Sequence, residues 1–473
     1  MNARRFLKHV RSSKDYTDQV VHVEVLPPRP ARYAPTAQPL PAIVVEALNA
    51  LGIDRLYAHQ AQAIDAARSG EHVVVVTGTA SGKTLCYNIP VLESLVTEPN
   101  AKALYLFPTK ALAQDQLRSL LRFKELAPSI PLNAGTYDGD TPSVTRRRLR
   151  DKGNCILTNP DMLHSGILPN NAGWADFFSS LAWVVIDEIH TYRGIFGSNV
   201  ANVLRRLQRI CAHYGARPRF LCSSATIANP GELATSLTGE SFTVIDEDGS
   251  PRGAKYFLLW NPPALGETME RKSPQSEAVS LMVDLMKDRV PTIAFCRARV
   301  VTELLYRYAK DRLQRESPGL VNAVRAYRGG YLPSERREIE QQLFSGELLG
   351  VVTTNALELG IDIGGLDACL IVGFPGSVAS TWQQAGRAGR GLDEALVVLL
   401  AQNAPLDQYL MHNPEYFFGS SCEHAIVDPD NPHVLGPQYI RPGEKGLLGE
   451  ILYPDAHGFG NCTFLPVQGK LHP

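Results

Sequence analysis

The chain has 473 residues, 44% of them hydrophobic and 20% charged, and its formal net charge is −1. This balance is typical of a globular protein with a full core, and it excludes a disordered chain, a collagen-like repeat and a coiled coil. The apolar stretches are too short to span a bilayer, and the basic N-terminus lacks the apolar stretch of a signal peptide. We therefore expect a cytoplasmic protein of two or three domains, without membrane contact.

The first half of the chain predicts an α/β domain. Residues 1–35 mix basic residues with Pro27, Pro28 and Pro30, and we interpret them as a short N-terminal arm. From there, short β-branched runs alternate with helix-like stretches, as in parallel sheets buried on both faces. The clearest helices cover residues 110–123 and 200–213. The predicted strands of this first lobe, residues 36–260, are Val73–Val76, Ala103–Phe107, Cys155–Leu157, Trp183–Ile186 and Phe220–Cys222.

A second alternating series follows a polar, proline-bearing stretch at residues 261–275, which we interpret as a linker. Residues 276–420 then form the second lobe, and residues 421–473, rich in Pro, Gly and Asn, predict an irregular tail. The sequence thus predicts two tandem α/β lobes, each a parallel sheet flanked by helices. The predicted strands of the second lobe are Thr292–Phe295, Ala323–Tyr327, Gly350–Thr354, Ala368–Val372 and Ala395–Leu400.

A turn of small residues follows the strand Val73–Val76 and leads into a helix-like stretch. Such a turn directs backbone N–H groups into one concavity, and the helix N-terminus adds the positive end of its dipole. Lys83 would reach the β- and γ-phosphates of ATP, and the Thr84 hydroxyl would ligate Mg²⁺. Thr77 replaces the first glycine of the usual phosphate-loop pattern, at a position that needs only a small residue. The predicted ATP-binding loop is Thr77, Gly78, Thr79, Ala80, Ser81, Gly82, Lys83 and Thr84.

The apolar strand Trp183–Ile186 ends in two acidic residues, Asp187 and Glu188. In a lobe that also carries a phosphate loop, Asp187 would hold Mg²⁺, and Glu188 would orient and activate the attacking water. Adjacent acids at a strand end are often only solvated or capping residues, but the phosphate loop upstream favours the catalytic interpretation. The sequence therefore predicts an ATP-hydrolysing site with ATP and Mg²⁺ as cofactors.

The second lobe contains Arg387 and Arg390, three positions apart on one side of a helix. Arginines supplied by another lobe can stabilise the charge that develops on the γ-phosphoryl group, which couples hydrolysis to lobe closure. An isolated arginine pair is more often a surface salt-bridge face. Here the flanking glycines and the upstream Gln383 favour a catalytic role. We therefore expect an ATP cleft between the lobes, with Gln383, Arg387 and Arg390 on its far side.

These motifs, in this order over roughly residues 55–395, resemble those of a superfamily 2 helicase of the DEAD/DEAH-box type, whose fold is two tandem RecA-like lobes. The Asp187–His190 box, the stretch 191–199 after it and the segment 136–141 are similar to the mitomycin-repair helicases of bacteria and their fungal DNA-repair relatives. This resemblance implies an ATP-dependent helicase or translocase that moves 3′ to 5′ on single-stranded or partly duplex DNA, with a role in DNA repair. It identifies no protein partners.

The resemblance also implies roles for further residues. Gln60 would contact the adenine base, and Gly360 and Asp362 would complete the ATP site. His190, Ser224, Ala225 and Thr226 would couple the ATP state to the grip on nucleic acid. Hydroxyl, amide and backbone N–H groups contact phosphates without reading bases, and basic side chains add charge. The predicted nucleic-acid contacts are Pro108, Thr109, Lys110, Asp138, Gly139, Thr158, Asn159, Arg297, Arg328, Gly329, Thr353 and Thr354.

Two alternatives stay open. The first is an RNA helicase, although the usual RNA-helicase box has Ala and Asp at the positions of Ile189 and His190, which favours DNA. The second is a truncated remnant that binds ATP or nucleic acid without unwinding. The resembled family has a C-terminal four-cysteine cluster that is expected to bind zinc, whereas this tail contains only Cys422 and Cys462. We therefore expect a shortened or frame-disrupted member.

A run of four arginines stands apart from these motifs. It could contact a nucleic-acid strand, but such a run on a helix is more often a solvated face. The run consists of Arg146, Arg147, Arg148 and Arg150.

Overall fold

The computed structural model describes residues 3–266, 270–359, 364–389, 391–419 and 422–434. In these ranges the chain forms two seven-stranded sheets with helices packed on both faces of each. This confirms the predicted α/β class with parallel sheets flanked by helices. The strands, in chain order, are β1 Val20–Leu26, β2 His72–Val76, β3 Lys102–Leu106, β4 Ala134–Thr136, β5 Cys155–Thr158, β6 Leu181–Ile186, β7 Arg219–Ser224, β8 Phe242–Ile245, β9 Lys255–Trp260, β10 Thr292–Cys296, β11 Val324–Tyr327, β12 Gly350–Thr353, β13 Ala368–Val372 and β14 Ala395–Leu400.

The helices connect the strands and cover the sheets. Every helix within the described ranges is too short or too polar to cross a lipid bilayer. The α-helices are α1 Ala3–Arg11, α2 Ala42–Ala50, α3 Ala58–Arg68, α4 Lys83–Thr97, α5 Lys110–Leu126, α6 Ser143–Lys152, α7 Pro160–Met162, α8 Ala175–Ser179, α9 Gly194–His213, α10 Pro230–Thr238, α11 Pro274–Lys287, α12 Arg299–Glu316, α13 Pro333–Phe344, α14 Val378–Ala385, α15 Pro405–His412 and α16 Pro414–Gly419.

The sheet of lobe one has the strand order β4-β5-β3-β6-β7-β2-β8, and all its strands run parallel. The central strands are apolar and buried on both faces, which is why they read as continuous β-branched runs rather than as alternating ones. Two apolar clusters, one on each face, form the core of this lobe. Because all strands are parallel, their carboxyl ends lie along one edge, where ligands bind in open α/β sheets.

The sheet of lobe two has the order β1-β9-β14-β13-β10-β12-β11, and β1 pairs antiparallel to β9 at its edge. The helix α1 packs Phe6 and Val10 into the same core. The interpretation of residues 1–35 as an arm that only leads into lobe one is therefore wrong. Without β1, strand β9 would present an unpaired edge, and the N-terminal residues cover it.

The boundary between the lobes also differs from the prediction. Strand β9 pairs with β14 in the second sheet, so lobe one ends before Lys255. The described residues of the predicted linker, 261–266 and 270–275, follow a strand of lobe two and do not link the lobes. The chain crosses between the lobes at residues 246–254 instead. There, Arg29 and Arg252 exchange two backbone hydrogen bonds of 2.8 and 2.9 Å. An apolar strand such as β9 could pack in the core of either lobe. Its pairing with β1 and β14 places it in lobe two.

The described part of the tail, residues 422–434, returns to lobe one. Ala425 is buried in the core of that lobe, and the Gly194 N–H donates to the carbonyl of Ile426 at 2.7 Å. Arg205 forms an ion pair with Asp430 at 2.7 Å. The chain therefore crosses between the lobes at three described places, at 27–34, 246–254 and 422–426. Residues 435–473, which include the predicted disruption of the tail and Cys462, lie outside the described residues.

The packing of α1 yields a prediction. Phe6 is 5% exposed in the lobe-two core, whereas Phe344 on α13 is 68% exposed. Replacing a buried Phe by Ala costs ~3 kcal/mol through lost apolar burial and a cavity, whereas exposed positions change stability by less than about 0.5 kcal/mol. We expect Phe6→Ala to lower the melting temperature of nucleotide-free protein by several degrees and Phe344→Ala to leave it unchanged. Equal melting of Phe6→Ala and wild type would mean that α1 does not stabilise lobe two.

Candidate nucleotide and nucleic-acid site

The loop after β2 has a tight backbone. Ala80 and Gly82 adopt left-handed conformations, with φ of 61° and 79°. The hydroxyls of Thr77 and Ser81 lie 2.6 Å apart and close the base of the loop. Gly82 is the N-cap residue of α4, and the helix N-terminus points toward the concavity. This is the geometry that binds an anion through backbone N–H groups and the helix dipole.

Lys83, the first residue of α4, lies across this loop. Its Nζ donates to the carbonyls of Thr77 at 2.7 Å and Gly78 at 3.0 Å. The ammonium group is thus held above the concavity where nucleotide phosphates would bind. Thr84 follows Lys83 in α4. The Tyr87 hydroxyl lies 3.5 Å from the Thr84 hydroxyl and 3.5 Å from Oδ2 of Asp187, so it lies between the two side chains.

Gln60 is bound to the protein through both ends of its amide. Its Oε1 accepts the Tyr57 N–H at 2.9 Å, and its Nε2 donates to the Gly82 carbonyl at 3.0 Å. The side chain is buried, and a Cβ on Gly82 would lie only 2.6 Å from Nε2. Gln60 therefore joins α3 to the phosphate loop, and a single amide N–H is left for the predicted contact with adenine.

Asp187 follows β6 and is buried beside the phosphate loop. Its Oδ1 accepts hydrogen bonds from the Ser223 hydroxyl of β7 and from the Glu188 N–H at 3.1 Å. Burial, and then the neighbouring Glu188 carboxylate, raise the pKa of Asp187 to about 7. Two buried carboxylates side by side near one lysine fit a divalent cation, because the cation supplies the missing positive charge. Asp187 and Thr84 therefore fit the predicted Mg²⁺ ligands.

Glu188 has a strained backbone, with φ of 54°, which for a non-glycine residue is typical of functional sites. Its Oε2 lies 3.4 Å from Nδ1 of His190. That nitrogen accepts the Ala225 N–H at 3.2 Å and so carries no proton. Glu188 Oε2 therefore faces a second acceptor, and no donor among the described residues satisfies it. A buried carboxylate oxygen without a donor is suited to binding a water molecule.

His190 also reaches across to lobe two. Its Nε2 lies 2.5 Å from the amide of Gln383 on α14. Burial lowers the pKa of His190, which favours the neutral ring. The Ser224 hydroxyl donates to the Ala225 carbonyl at 2.7 Å, and Thr226 is exposed at the cleft. The predicted coupling residues thus lie together in lobe one, and one of them contacts lobe two.

The phosphate loop touches lobe two as well. The Thr79 hydroxyl donates to the Gly386 carbonyl at 2.9 Å, and a Cβ on Gly386 would lie 2.1 Å from that hydroxyl oxygen. A cavity of about 260 Å³ lies between the loop and the segment from Gln383 to Gly389. The cavity borders the phosphate loop and is therefore a candidate for part of the predicted ATP cleft.

Of the two predicted arginines, the structure describes only Arg387. Arg387 is buried, and its Nη2 donates to the Glu358 carbonyl at 2.7 Å, within lobe two. Its side chain binds the backbone of lobe two here, and its catalytic role stays a prediction. Arg390, Gly360 and Asp362 lie outside the described residues.

Sequence reasoning missed an ion pair at the cleft. Arg29, from the N-terminal segment, pairs with Asp248 of the crossing segment at 2.6 Å. A Cβ on Gly78 would lie 3.6 Å from the Asp248 carboxylate, so the pair borders the phosphate loop. The Asp248-Gly249-Ser250-Pro251 stretch is a turn signal that could have marked the crossing point.

The predicted nucleic-acid residues of lobe one lie at the carboxyl ends of β3, β4 and β5. Some of them hold loops: the Asp138 carboxylate accepts the Asp140 and Thr141 N–H groups at 2.9 and 3.1 Å, and the buried Thr158 hydroxyl donates to the Tyr137 carbonyl at 2.6 Å. The side chains of Thr109 and Asn159 cap the helices that follow them, and Pro108 is half-buried. Lys110 and Gly139 are exposed to solvent, and the Lys110 ammonium group forms an ion pair with Asp140 at 2.9 Å.

The corresponding residues of lobe two lie at the carboxyl ends of β10, β11 and β12. Arg297 is exposed. Arg328 pairs with Glu303 at 2.7 Å, beside the half-buried Gly329. The buried Thr353 hydroxyl donates to the Thr354 carbonyl at 2.9 Å, and Thr354 caps the turn after it. Of this group, Arg297 is the residue best placed to meet a phosphate directly.

The arginines of the run on α6 differ in their surroundings. Arg146 turns toward the loop after β4, where it donates to the Gly139 carbonyl at 2.9 Å and lies over the ring of Tyr137 at 5.8 Å. Arg147 and Arg148 are exposed. One arginine of the run therefore lies beside the residues predicted to contact nucleic acid, and its exposed neighbours Arg147 and Arg148 form a solvated face.

Two family models match the chain. The DEAD/DEAH box helicase model covers residues 57–233, and the model of the helicase conserved C-terminal domain covers residues 277–391. The chain belongs to the superfamily 2 helicases. The resemblance seen in the motifs is thereby confirmed.

The helicase is similar to several named proteins. It is 48% identical to the uncharacterized ATP-dependent helicase YprA of Bacillus subtilis over 419 residues, which cover 88% of this chain and 56% of YprA. It is 42% identical to the ATP-dependent helicase HRQ1 of Saccharomyces cerevisiae over 444 residues, which cover 91% of this chain and 41% of HRQ1. The chain thus spans about half the length of these relatives.

Among solved structures, the helicase resembles the DUF1998 helicase MrfA bound to DNA and AMPPNP, with a TM-score of 0.87 and 46% identity. The match covers 92% of this chain and 60% of the MrfA chain. Mss116p bound to single-stranded RNA matches at a TM-score of 0.64 with 16% identity, which shows a shared fold alone. These neighbours confirm the fold of two tandem RecA-like lobes.

The buried acid predicts a pH dependence. Because burial raises the pKa of Asp187 to about 7, we expect folded protein free of metal and nucleotide to release this proton at higher pH than the unfolded chain, which loses it near pH 4. The stability that this proton contributes is full at low pH and is lost as the pH rises through about 7. Asn at position 187 cannot ionise. We therefore expect the free energy of unfolding of Asp187→Asn, relative to that of wild type, to rise by about 1.4 kcal/mol per pH unit between about pH 5 and about pH 7.

Thermal denaturation across this pH range measures the effect. Asp151→Asn is the control, because Asp151 is exposed on α6 and pairs with Arg147 and Arg150. A constant difference between Asp187→Asn and wild type would show that Asp187 is ionised throughout.

Proposed function

We propose that this chain is an ATP-dependent DNA helicase or translocase that moves 3′ to 5′ along a single strand and acts in DNA repair. The observation that carries the proposal is the pair of contacts across the cleft, Thr79 to Gly386 and His190 to Gln383. They connect the phosphate loop and the acidic box of lobe one to a single segment of lobe two. Binding or loss of ATP at the loop would therefore change how the lobes meet.

The residues of the cleft divide the chemistry among them. Lys83 and the backbone of the loop would bind the phosphates, and Asp187 and Thr84 would hold Mg²⁺. Bound Mg²⁺ would neutralise charge on the phosphates. Glu188, with its buried acceptor oxygen, would orient the attacking water. His190 and Gln383 would transmit the state of this site to lobe two, because they are in direct contact.

The grip on the strand would use the carboxyl edges of both sheets. Exposed Lys110 and Arg297 supply positive charge there, and buried Asp138, Thr158 and Thr353 hold the loops that present backbone N–H groups. Such contacts reach phosphates and not bases, which suits a motor that must pass every sequence.

DNA is favoured over RNA as the track. The structures of MrfA, at 46% identity, are described as bound to DNA, whereas the RNA-bound Mss116p shares only the fold. The direction and the repair role rest on the resemblance to the mitomycin-repair helicases. A 3′-tailed duplex should accordingly be unwound and a 5′-tailed one should not, and cells that lack the protein should be more sensitive to mitomycin C.

ATP hydrolysis tests the motor. We expect single-stranded DNA to stimulate turnover more than RNA of the same sequence does. Lys83→Ala and Glu188→Gln should each lower kcat by at least about 100-fold, because each removes a group that acts on the phosphates or the water. Lys287→Ala, an exposed change at the opposite edge of the lobe-two sheet, is the control. RNA-selective stimulation would move the track to RNA, and absent turnover in folded protein would support a binding remnant.

The salt dependence of binding tests the strand contacts. Each phosphate contact that is lost lowers the slope of log K against log salt by about 0.7 for single strands. We expect Lys110→Ala and Arg297→Ala each to lower the slope by about this amount for every sequence tested. Lys287→Ala should leave it unchanged. An unaltered slope in both variants would place the strand elsewhere.

A further inference from the structure

The helix α14 is short, with eight residues, and it carries Gln383 into the cleft and leads into the turn at Gly386. A helix of this length is marginal by itself and depends on contacts at its ends. Two charged side chains from distant parts of the chain meet those ends. Lys255 reaches the C-terminal end, and Glu423 reaches the N-terminal end.

Lys255 is the first residue of β9. Its Nζ donates to the Ala385 carbonyl, the last of the helix, at 2.9 Å. The side chain is 9% exposed, and its Cε lies 3.6 Å from where a Cβ on Gly389 would be. The lysine thus passes between the end of α14 and the turn that follows it. A cation at this position satisfies a free carbonyl and opposes the negative end of the helix dipole.

No carboxylate pairs with this ammonium group among the described residues. Leu26 of β1 and Ala395 of β14 lie opposite Lys255 in the sheet and carry no charge. The titratable or charged groups that face it are Arg252 and the buried thiol of Cys369, which itself donates to the Gln384 carbonyl at 3.3 Å. Burial lowers the pKa of Lys255 to about 8. A buried charge without a counterion is costly, and the hydrogen bond to the Ala385 carbonyl at the helix end offsets part of that cost.

Glu423 meets the other end. Its carboxylate accepts the N–H groups of Val378 at 2.5 Å and Ala379 at 3.0 Å, where an anion suits the helix dipole. Glu423 belongs to the segment that crosses to lobe one, where Asn229 exchanges hydrogen bonds of 2.9 and 3.1 Å with the backbone of Ala425. One end of α14 is therefore held from within lobe two, and the other by a segment anchored in lobe one.

We propose that Lys255 and Glu423 are positioning residues that clamp α14 from its two ends, and so hold Gln383 and the turn at Gly386 against the nucleotide site. This inference rests on the proposed ATPase function. Lys255 borders the cavity between the phosphate loop and lobe two, but its ammonium group is held by the Ala385 carbonyl, and Glu423 binds backbone N–H groups of α14. We therefore expect the clamp to act on the rate of turnover rather than on the binding of ATP. Lys255 opposes the negative end of the helix dipole only while its ammonium group is protonated.

The experiment compares Lys255→Met, Lys255→Arg and Glu423→Gln with wild type in DNA-stimulated ATP hydrolysis from neutral to alkaline pH. We expect Lys255→Met and Glu423→Gln to lower kcat by roughly 10- to 100-fold and to change KM for ATP by less than about twofold. Wild-type kcat should fall with a midpoint near pH 8, and Lys255→Met should lose this step. Lys255→Arg should keep activity to higher pH, because arginine stays charged.

Lys102→Met is the matched control. Lys102 is likewise the first residue of a strand, β3, and its Nζ donates to a backbone carbonyl, that of Asp176, at 2.8 Å, but away from the cleft. It should leave kcat, KM and the pH profile unchanged. Wild-type kcat in both Lys255→Met and Glu423→Gln, or equal loss in the control, would overturn the clamp.

A second measurement separates the clamp from the proposed function. Amide hydrogen exchange over residues 378–389 reads the order of α14 without ATP. We expect faster exchange there in Lys255→Met and Glu423→Gln and unchanged exchange in Lys102→Met. If wild type hydrolyses no ATP, the proposed function fails, and hydrogen exchange alone tests the clamp. Unchanged exchange in both Lys255→Met and Glu423→Gln would then overturn the clamp. If Lys255→Met does not fold, Glu423→Gln carries the test.

Discussion

His190 lies where the two lobes meet, and its ring contacts three separate parts of the site. Nδ1 accepts the Ala225 N–H and faces Glu188, while Nε2 meets the amide of Gln383 from lobe two. Burial lowers the pKa of the ring, which favours its neutral form. The orientation of the acid, the loop after β7 and the helix α14 all depend on this arrangement, because moving any one of them breaks a contact to the same ring.

The lobes are joined by more than this contact. The chain crosses between them at 27–34, 246–254 and 422–426, and each crossing makes specific polar contacts beside the cleft. Arg29 pairs with Asp248 next to the phosphate loop, and Glu423 caps the helix that carries Gln383. A change in the distance between the lobes would therefore act directly on the groups that are predicted to bind and turn over nucleotide. This is the mechanical connection that a nucleotide-driven motor requires.

Local patterns in the sequence predicted much of the site. The phosphate loop and the Asp187–Glu188 pair are contiguous, and each follows a buried strand, so their placement at the carboxyl edge of one sheet followed from the βαβ alternation. Several predicted contacts have other partners: Gln60 binds the phosphate loop, Arg387 binds the Glu358 carbonyl, and Thr353 is buried. A motif names the residue types near a ligand, but not which of them face it, since that depends on how neighbouring loops pack.

The sequence by itself determined the fold class, the family and the chemistry of the nucleotide loop, because these depend on residues close together in the chain and on hydrophobic periodicity. Only the tertiary structure decided where the lobes begin and end. It placed β1 and β9 in lobe two and brought Lys255 and Glu423 to the ends of α14. Those pairings join residues far apart in the chain, and apolar runs of equal character could have met either sheet. The edge that each strand covers was settled by the packing of the whole molecule.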